Sequence, residues 1–543
     1  MNKQIIVILI FISALSLFLN IYRQSNAPPC LNADEAAFGY NSYSILKTGK
    51  DEYGNFLPLR LKSFGDYKMP LYSYLSIPFI AISGLNEGSV RALNSFVAFL
   101  FPITIFFLSR EIFKNMTVSL LASFLSSVSL GLHIVGRHAH EAYLTTFLIS
   151  LALLFLIKTL KNQSIRNTLL FFLFISLALF SYHPSRLFAF FFLGVALITQ
   201  IFKKINKKLF ILIFVFVLGA FMLTDVIYNP TRVKNLLFFN NQGFSLNINE
   251  LKTEGGIKLF YNEYAQGIKE IVFQHLNYYS PQFFISNGDE NPRFGFNGAS
   301  LMTPIEYLFI FIGLYYLFKN KQSYRYLLTG LFIIAPLTAS LSWADISLTR
   351  SLFFLVPSII ISAYGLFNFL NSFFKYKKSL VILSGSIGVI FLFFLGISWD
   401  SYIFHYPKKA LTIKSWQCGY KELAQYIKDN YEKFDNFNIT KKNGQPYIFL
   451  LFYLNYAPQK YQKQAVLSIP DQYGFGQIES FDKFNFSFKD PRNLKNEVNI
   501  GFPDDFNFYE NDNQVDLSRI KKIKVGTEDM FWIYENPTKK NKD

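Results

Sequence analysis

The chain has 543 residues, of which 51% are hydrophobic, 19% aromatic and 16% charged, and its formal net charge is +17. This composition excludes an ordinary water-soluble protein, because apolar runs recur along the first 400 positions and about 20 apolar residues cross a bilayer. The basic residues lie between the apolar runs and form no single stripe. Membrane topology therefore explains the charge better than nucleic-acid binding does.

Eleven apolar runs are predicted as membrane-spanning helices. They lie at 4–22, 91–109, 116–136, 143–160, 167–183, 186–202, 209–225, 303–318, 326–341, 349–371 and 379–399. A cleaved signal peptide is the rival interpretation of the first run, but no small-residue cleavage site follows it, which favours retention.

The basic residues of the short loops predict the orientation. If the N-terminus is cytoplasmic, sixteen Lys and Arg residues flank the inner ends of the spans, whereas the short outer loops hold only Arg137, Arg186 and Arg350. Because cytoplasmic loops are enriched in basic residues, we expect a plasma-membrane protein with a cytoplasmic N-terminus. The loops 23–90 and 226–302 and everything after 400 then lie outside the cytoplasm.

The first outer loop, 23–90, begins with an acidic pair. Asp34 and Glu35 are followed by a segment that predicts a short helix ending at Gly49. The apolar run near 71–84 is only about 14 residues long and contains Pro78, so it is expected to be interfacial or re-entrant.

The tail changes character. Residues 401–543 predict a small extracytoplasmic α/β domain, with a helix near WQCGYKELAQYIKDNYEKF and strands at FDNFNIT and KKIKVGTEDMFWIYEN. The predicted fold class is therefore mainly α: a polytopic membrane domain, 1–400, followed by this α/β domain. Cys30 and Cys418 both fall on the predicted outer side, so a disulfide between them stays open, although nothing in the sequence brings them together.

Asp34 is the candidate catalytic residue. A carboxylate accepts a proton from a hydroxyl as that oxygen attacks an anomeric carbon, and Glu35 beside it is a candidate substrate-binding residue. The structural alternative is that Asp34 is the N-cap of the following helix. The spacing alone leaves both interpretations open.

The second candidate element is the outer turn Gly136–Tyr143. It carries Arg137, His138 and Glu141, and Asp34, His138 and Glu141 are the candidate metal ligands. Carboxylates favour Mg²⁺ or Mn²⁺, and a histidine ligand allows Zn²⁺. The alternative is a solvated hairpin, since the spacing matches no dedicated metal motif.

The third set comprises candidates for binding an anionic substrate group. All six histidines of the chain map to the predicted outer side. Ionisable residues close to lipid are energetically costly, so their presence there suggests a function. Lysine binds phosphate as a point charge and arginine binds it through its planar fork. The competing role for each is an interfacial anchor. The candidates are Lys68, Arg137, His183, Arg186 and Arg350.

Two missing motifs narrow the chemistry. The sequence has no GxxxxGK[ST] phosphate loop, so this chain lacks the ATP-binding motif that ATP-driven transport would use. It also has no Asp-x-Asp pair, a common way of holding a nucleotide sugar through a metal ion. A lipid-linked donor fits this absence and the many spans.

Three motifs resemble those of the GT-C membrane glycosyltransferases, in particular the protein O-mannosyltransferases and the lipid A aminoarabinose transferase. They are the acidic pair Asp34-Glu35, the segment Lys68-Met69-Pro70-Leu71-Tyr72, and Gly84-x-x-Glu87-x-x-x-Arg91. The Arg137 to Glu141 spacing is similar to the second outer loop of that family, and the resemblance covers about residues 30–160.

The resemblance implies a GT-C-like fold and an inverting sugar transfer from a polyprenyl-phosphate carrier to an acceptor hydroxyl. It implies that Asp34 is the base, that Glu141 lies near a metal ion and that Lys68 lies near the carrier phosphate. Protein, lipid and glycan all remain open as acceptors. The alternatives are a transferase or polymerase of diphosphate-linked glycans, a lipid-linked sugar flippase or transporter, and a sensor or assembly protein.

Overall fold

The computed structural model describes residues 2–64, 66–201, 242–342, 346–442, 444–468, 478–509 and 515–536, with isolated positions between 215 and 221. The predicted span 209–225 and the start of the loop 226–302 lie largely outside these residues. The chain divides into two compact units. We call Met1–Tyr22 with Asn94–Ile403 the helical unit, and Arg23–Leu93 with Phe404–Asp543 the mixed unit.

The secondary structure described in the helical unit consists almost entirely of α-helices. Those described are α1 (Lys3–Ile21), α4 (Glu87–Phe113, which begins in the mixed unit), α5 (Met116–Val128), α6 (Leu130–Gly136), α7 (Glu141–Asn162), α8 (Ile165–Leu179), α9 (Ser185–Ile201), α10 (Gln242–Glu254), α11 (Glu263–Asn277), α12 (Pro304–Lys319), α13 (Arg325–Ile334), α14 (Leu337–Ser340), α15 (Leu348–Ser351), α16 (Leu355–Ser372) and α17 (Lys377–Asp400).

Within the described ranges, five helices are long and apolar enough to cross a bilayer. They are Lys3–Ile21, Glu87–Phe113, Glu141–Asn162, Leu348–Ser372 and Lys377–Lys408. The pair α5 and α6, bent by 50°, makes a sixth if it is one span. Shorter apolar helices occupy Ile165–Leu179, Ser185–Ile198 and Arg325–Ser340, where three further spans are predicted. The count of eleven spans stays a prediction.

Glycines allow helices α12 and α16 of the helical unit to approach closely. A Cβ added to Gly313 of α12 would lie 2.1 Å from the carbonyl oxygen of Ile361, and one added to Gly365 of α16 would lie 2.3 Å from that of Phe309. Inside a bilayer the hydrophobic effect does not drive helices together, so helix association depends on close packing of this kind. The two glycines therefore fix the α12–α16 crossing.

The mixed unit joins part of the first loop to the tail. Its other helices are α2 (Ala33–Thr48), α3 (Leu71–Ser83), α18 (Ala410–Ser415), α19 (Tyr420–Asn430), α20 (Pro446–Tyr453), α21 (Pro458–Gln464) and α22 (Pro503–Phe506). Its strands are β1 (Leu61–Ser63), β2 (Asp66–Lys68), β3 (Asn436–Ile439), β4 (Val466–Leu467), β5 (Ile478–Phe481), β6 (Phe484–Asn485), β7 (Glu497–Gly501), β8 (Lys521–Val525) and β9 (Glu528–Asn536).

The tail forms a mixed sheet. The strand order is β4-β5-β6-β3-β7-β9-β8, with β3 parallel to β6 and β7 and the remaining pairs antiparallel. The helix and strands predicted in the tail are confirmed at Tyr420–Asn430, Asn436–Ile439 and in the hairpin β8–β9. The predicted boundary at 400 stays a prediction, while the compact units group residues 23–93 with the tail.

Candidate active site in the first loop

The acidic pair lies in the first turn of helix α2. Asn32 is the N-cap: its side chain accepts from the backbone N–H of Glu35, and the Glu35 carboxylate accepts from the backbone N–H of Asn32. This reciprocal capping box satisfies two amides that the helix leaves unpaired. The helix ends at Gly49, whose φ is +69°, as predicted. The alternative that Asp34 is the N-cap is wrong, because Asn32 fills that position.

Asp34 is paired with Lys68. The Lys68 ammonium donates to Asp34 Oδ1 at 2.5 Å, and the side chains are 45% exposed for Asp34 and 15% for Lys68. The Lys68 Nζ also lies 5.1 Å from the ring centre of Phe38 and 4.7 Å from that of Phe64. Phe38 stands one turn after Asp34 on α2, so both face Lys68. The structure thus brings together two of the predicted site residues.

Glu35 is held by a buried arginine. Arg91 donates from Nε to Glu35 Oε1 at 2.8 Å and from Nη2 to Oε2 at 2.9 Å, and both side chains are at most 1% exposed. Arg91 also donates to the carbonyls of Gln24 and Cys30. This planar two-point contact locks the start of α2. Glu35, predicted to bind substrate, has its carboxylate occupied by Arg91 and the cap.

The tail contacts the segment before helix α2. The disulfide between Cys30 and Cys418, which the sequence left open, is formed across 388 positions of sequence. Gln417, beside that cysteine, accepts through its side-chain oxygen from the backbone N–H of Ala33, the residue before Asp34. The tail therefore fixes the segment on which the candidate base stands.

A second, buried carboxyl lies near Lys68. Burial raises the pKa of Glu52 to about 8, the Asp51 carboxylate pushes the pKa in the same direction, and the Lys68 ammonium lowers it. Tyr447 of the tail donates its hydroxyl to Glu52 Oε1 at 3.3 Å. Sequence reasoning missed Glu52 and Tyr447, since neither lies in a recognisable motif.

Arg137, in the helical unit, is fully buried. It donates from Nη1 to the carbonyl of Leu19 and from Nη2 to the carbonyl of Tyr22 at 2.7 Å, and its guanidinium lies 5.6 Å from the ring centre of Tyr402. Carbonyls at a helix end lack partners within the helix, so this arginine caps α1. Its predicted role in substrate binding stays a prediction beside this structural one.

The predicted metal residues of the outer turn are largely engaged. His138 is buried, stacks on Phe294 and holds the carbonyl of Ile134 through Nδ1 at 3.0 Å. His140 is the N-cap of α7, and its Nδ1 lies 3.7 Å from Glu141 Oε2. Within the described part of the chain, no three His, Cys, Asp or Glu side chains gather where they would hold a metal ion. The metal stays a prediction.

The remaining basic candidates lie at or just before the first turns of two helices, α9 and α15. Arg186 Nη2 lies 2.7 Å from His183 Nδ1, and the guanidinium lies over the ring of Phe221. Arg350 in α15 is next to Asp289, a buried carboxyl that accepts from the backbone N–H groups of Asn291 and Leu348. Arg350 Nη1 is buried and has no hydrogen-bond partner among the described residues. Their substrate-binding roles stay predictions.

Comparison with known proteins supports the resemblance. A family model described as dolichyl-phosphate-mannose-protein mannosyltransferase matches residues 67–227, under a third of the chain. No curated protein matches significantly. ArnT from Cupriavidus metallidurans in the apo state is similar over 97% of this chain and 97% of its own, with 10% identity and a TM-score of 0.54.

Two further solved structures are similar. ArnT bound to undecaprenyl phosphate matches over 98% of both chains, with 11% identity and a TM-score of 0.53. The oligosaccharyltransferase AglB from Archaeoglobus fulgidus matches over 83% of this chain, with 13% identity and a TM-score of 0.48. This chain spans only 63% of that archaeal protein. The ArnT likeness shows the fold, and the chain resembles the GT-C membrane glycosyltransferases, as its motifs predicted.

Proposed function

We propose that this protein is an integral membrane glycosyltransferase that moves one sugar from a polyprenyl-phosphate carrier to an acceptor hydroxyl outside the cytoplasm. The observation that carries the proposal is the ion pair between Lys68 and the half-exposed Asp34, which stands at the start of a helix locked by a buried ion pair and a disulfide. A carboxylate that could act as the base and an ammonium group that could bind phosphate therefore lie side by side. That is the arrangement a lipid-phosphate sugar donor requires.

The proposed step is a single displacement at the anomeric carbon. The acceptor oxygen attacks as Asp34 takes its proton, a new C–O bond forms, and the bond from the anomeric carbon to the phosphate oxygen breaks. The electron pair leaves with the polyprenyl phosphate. Because attack and departure take place on opposite faces of the sugar, the configuration is inverted.

Lys68 gives this step an order of events. While its ammonium is bound to Asp34, the carboxylate is neutralised and is a poor base. An arriving phosphate offers Lys68 a competing anion, and transfer of the ammonium to that phosphate releases Asp34. The same cation then stabilises the charge that develops on the departing phosphate.

The face on which this happens is part of the proposal. Sixteen basic residues at one set of helix flanks against three at the other support a cytoplasmic N-terminus and an outer first loop. Labelling of a cysteine placed at Asp435, an exposed tail residue, by an impermeant maleimide in intact cells tests it. Labelling only after lysis would contradict the orientation.

The decisive experiment follows a labelled sugar. Membranes are incubated with labelled polyprenyl-phosphate sugars, and protein, lipid and glycan fractions are counted to identify the acceptor. Asp34→Asn keeps the shape of the side chain and removes the base, so we expect normal insertion and folding with loss of transfer. A flippase would move the label without breaking the sugar–phosphate bond.

A matched variant controls for the substitution itself. Asp435→Asn makes the same chemical change at an exposed position of the mixed unit, and we expect it to transfer sugar at the wild-type rate. Transfer that persists unchanged in Asp34→Asn removes Asp34 as the base. Transfer lost equally in both variants contradicts a specific role.

The metal requirement is tested separately, because no step above depends on it. If Asp34, His138 and Glu141 hold Mg²⁺, Mn²⁺ or Zn²⁺, EDTA stops transfer and one of these ions restores it. Transfer that is indifferent to EDTA contradicts the predicted metal. If a metal ion is required, comparing the ion concentration that restores transfer in Glu141→Gln and in wild type shows whether Glu141 binds it.

A further inference from the structure

Tyr447 of the tail approaches Lys68 by two routes. Its hydroxyl donates to Glu52 Oε1 at 3.3 Å, and Glu52 is a buried carboxyl that interacts electrostatically with Lys68. Its ring meets the ring of Phe64 edge-on, with centres 6.1 Å apart and planes at 74°. Phe64 in turn faces the Lys68 ammonium at 4.7 Å. Tyr447 thus contacts both Glu52 and Phe64, two groups that interact with the Lys68 ammonium.

Glu52 is held in place, but only one of its two carboxyl oxygens has a hydrogen-bond partner in the part of the chain that the structure describes. Its backbone N–H donates to Asn41 Oδ1 of helix α2 at 3.0 Å, and its side chain is 1% exposed. Its second oxygen, Oε2, has no hydrogen-bond partner among the described residues. A buried carboxylate with an unpaired oxygen is costly, which favours the protonated acid.

Several ionisable groups face Glu52. Asp51 precedes it, and Lys68 of strand β2 interacts with it electrostatically. Three tyrosines of α2 and the tail helices do so as well: Tyr40, Tyr447 and Tyr461. Burial raises the pKa of Glu52 to about 8, Asp51 acts in the same direction, and Lys68 and the Tyr447 hydrogen bond lower it. At neutral pH Glu52 is therefore mainly neutral.

We propose that Glu52 and Tyr447 are positioning residues that set the place of the Lys68 ammonium beside Asp34. A neutral Glu52 leaves the full charge of Lys68 for Asp34 or for the carrier phosphate. An ionised Glu52 is a third anion that draws Lys68 away from both. The role given to Lys68 in catalysis rests on the proposed function, whereas the coupling of Glu52 to Lys68 does not.

The coupling is tested without any substrate. Infrared difference spectra between wild type and Glu52→Gln, in purified full-length protein, isolate the C=O stretch of the protonated Glu52 carboxyl. We expect this band to titrate near pH 8 in wild type. In Lys68→Met it persists to higher pH, because the opposing cation is gone, while Lys68→Arg keeps the wild-type titration. An identical titration in Lys68→Met and wild type overturns the proposal.

Transfer kinetics give the functional readout. If only the enzyme with neutral Glu52 uses Lys68 productively, kcat/KM falls about tenfold between pH 7 and pH 9, from a pKa of about 8. Glu52→Gln abolishes that alkaline fall. Tyr447→Phe keeps the ring against Phe64 and removes one hydrogen bond that lowers the pKa, so the fall moves to higher pH.

A matched tyrosine separates positioning from mere stability. Tyr426 donates to Glu535 at 2.6 Å in the same unit, and Tyr426→Phe is expected to leave the alkaline fall unchanged. If wild type transfers sugar, Asp34→Asn does not, and Glu52→Gln retains the fall, the positioning role fails and the proposed function stands. If wild type transfers no sugar, the proposed function fails and the infrared titration alone decides the coupling.

Discussion

Breaking the Glu35–Arg91 pair should destabilise the protein more than any surface substitution. Glu35→Gln keeps an oxygen that accepts from the backbone N–H of Asn32, so the cap survives. It leaves the Arg91 guanidinium, 1% exposed, without its anion. Removing one partner of a buried, two-point ion pair costs about 3–5 kcal/mol, because the other charge stays buried and uncompensated.

The expected loss is measurable as a melting temperature. The mixed unit contains residues 23–93 and 404–543, about 210 in all. For a domain of that size each kcal/mol shifts the midpoint by about 2–4 °C, so Glu35→Gln should melt roughly 6–20 °C lower. The assay is thermal unfolding of the purified protein, followed by the loss of its monodisperse size-exclusion peak.

Two further variants make the result interpretable. Glu35→Leu combined with Arg91→Leu removes both charges, and we expect it to cost less than the sum of the single substitutions. Arg492→Gln breaks the exposed pair of Arg492 with Asp490 and should barely change the midpoint. A Glu35→Gln protein that melts with wild type would refute the claim that this pair locks the start of α2.

Three other outcomes follow from the structure. Replacing Cys30 and Cys418 by serine should lower the free energy of unfolding by about 2–5 kcal/mol. The variant should melt at a lower temperature than wild type, and a reductant that lowers the wild-type melting temperature should not change that of the variant. Because burial raises the folded-state pKa of Glu52 from 4.5 to about 8, the cost of ionising Glu52 is absent at low pH and grows as pH rises from about 4.5 to about 8. The stability advantage of Glu52→Gln should grow over that range, and a constant difference would contradict it. Arg137→Gln should lower the midpoint because the end of the first helix loses its donors; a raised KM for the carrier with an unchanged midpoint would instead favour substrate binding.

Local patterns predicted part of the secondary structure. The Asn32 to Gly49 segment carries its own start and stop signals, and alternation in the tail predicted β3 and the β8–β9 hairpin, while β4 to β7 were not predicted. The apolar run near 71–84 forms the 13-residue helix Leu71–Ser83, and its predicted interfacial or re-entrant position, based on its length and on Pro78, stays a prediction. The alternative that Asp34 is the N-cap was wrong, since Asn32, two positions earlier, is an equally good capping residue and only the backbone decides between them.

The sequence by itself determined where the long apolar segments and the helix beginning near Asp34 lie, and that Asp34, Lys68 and Arg91 belong to one set of motifs. These properties depend on neighbours within a few positions of the chain. Tertiary structure alone decided that Lys68 pairs with Asp34 and that Arg91 locks Glu35. It also decided that Cys418, Gln417 and Tyr447 contact residues in and beside helix α2 from nearly 400 positions away. Such contacts depend on how the chain folds back, and local periodicity carries no information about that path.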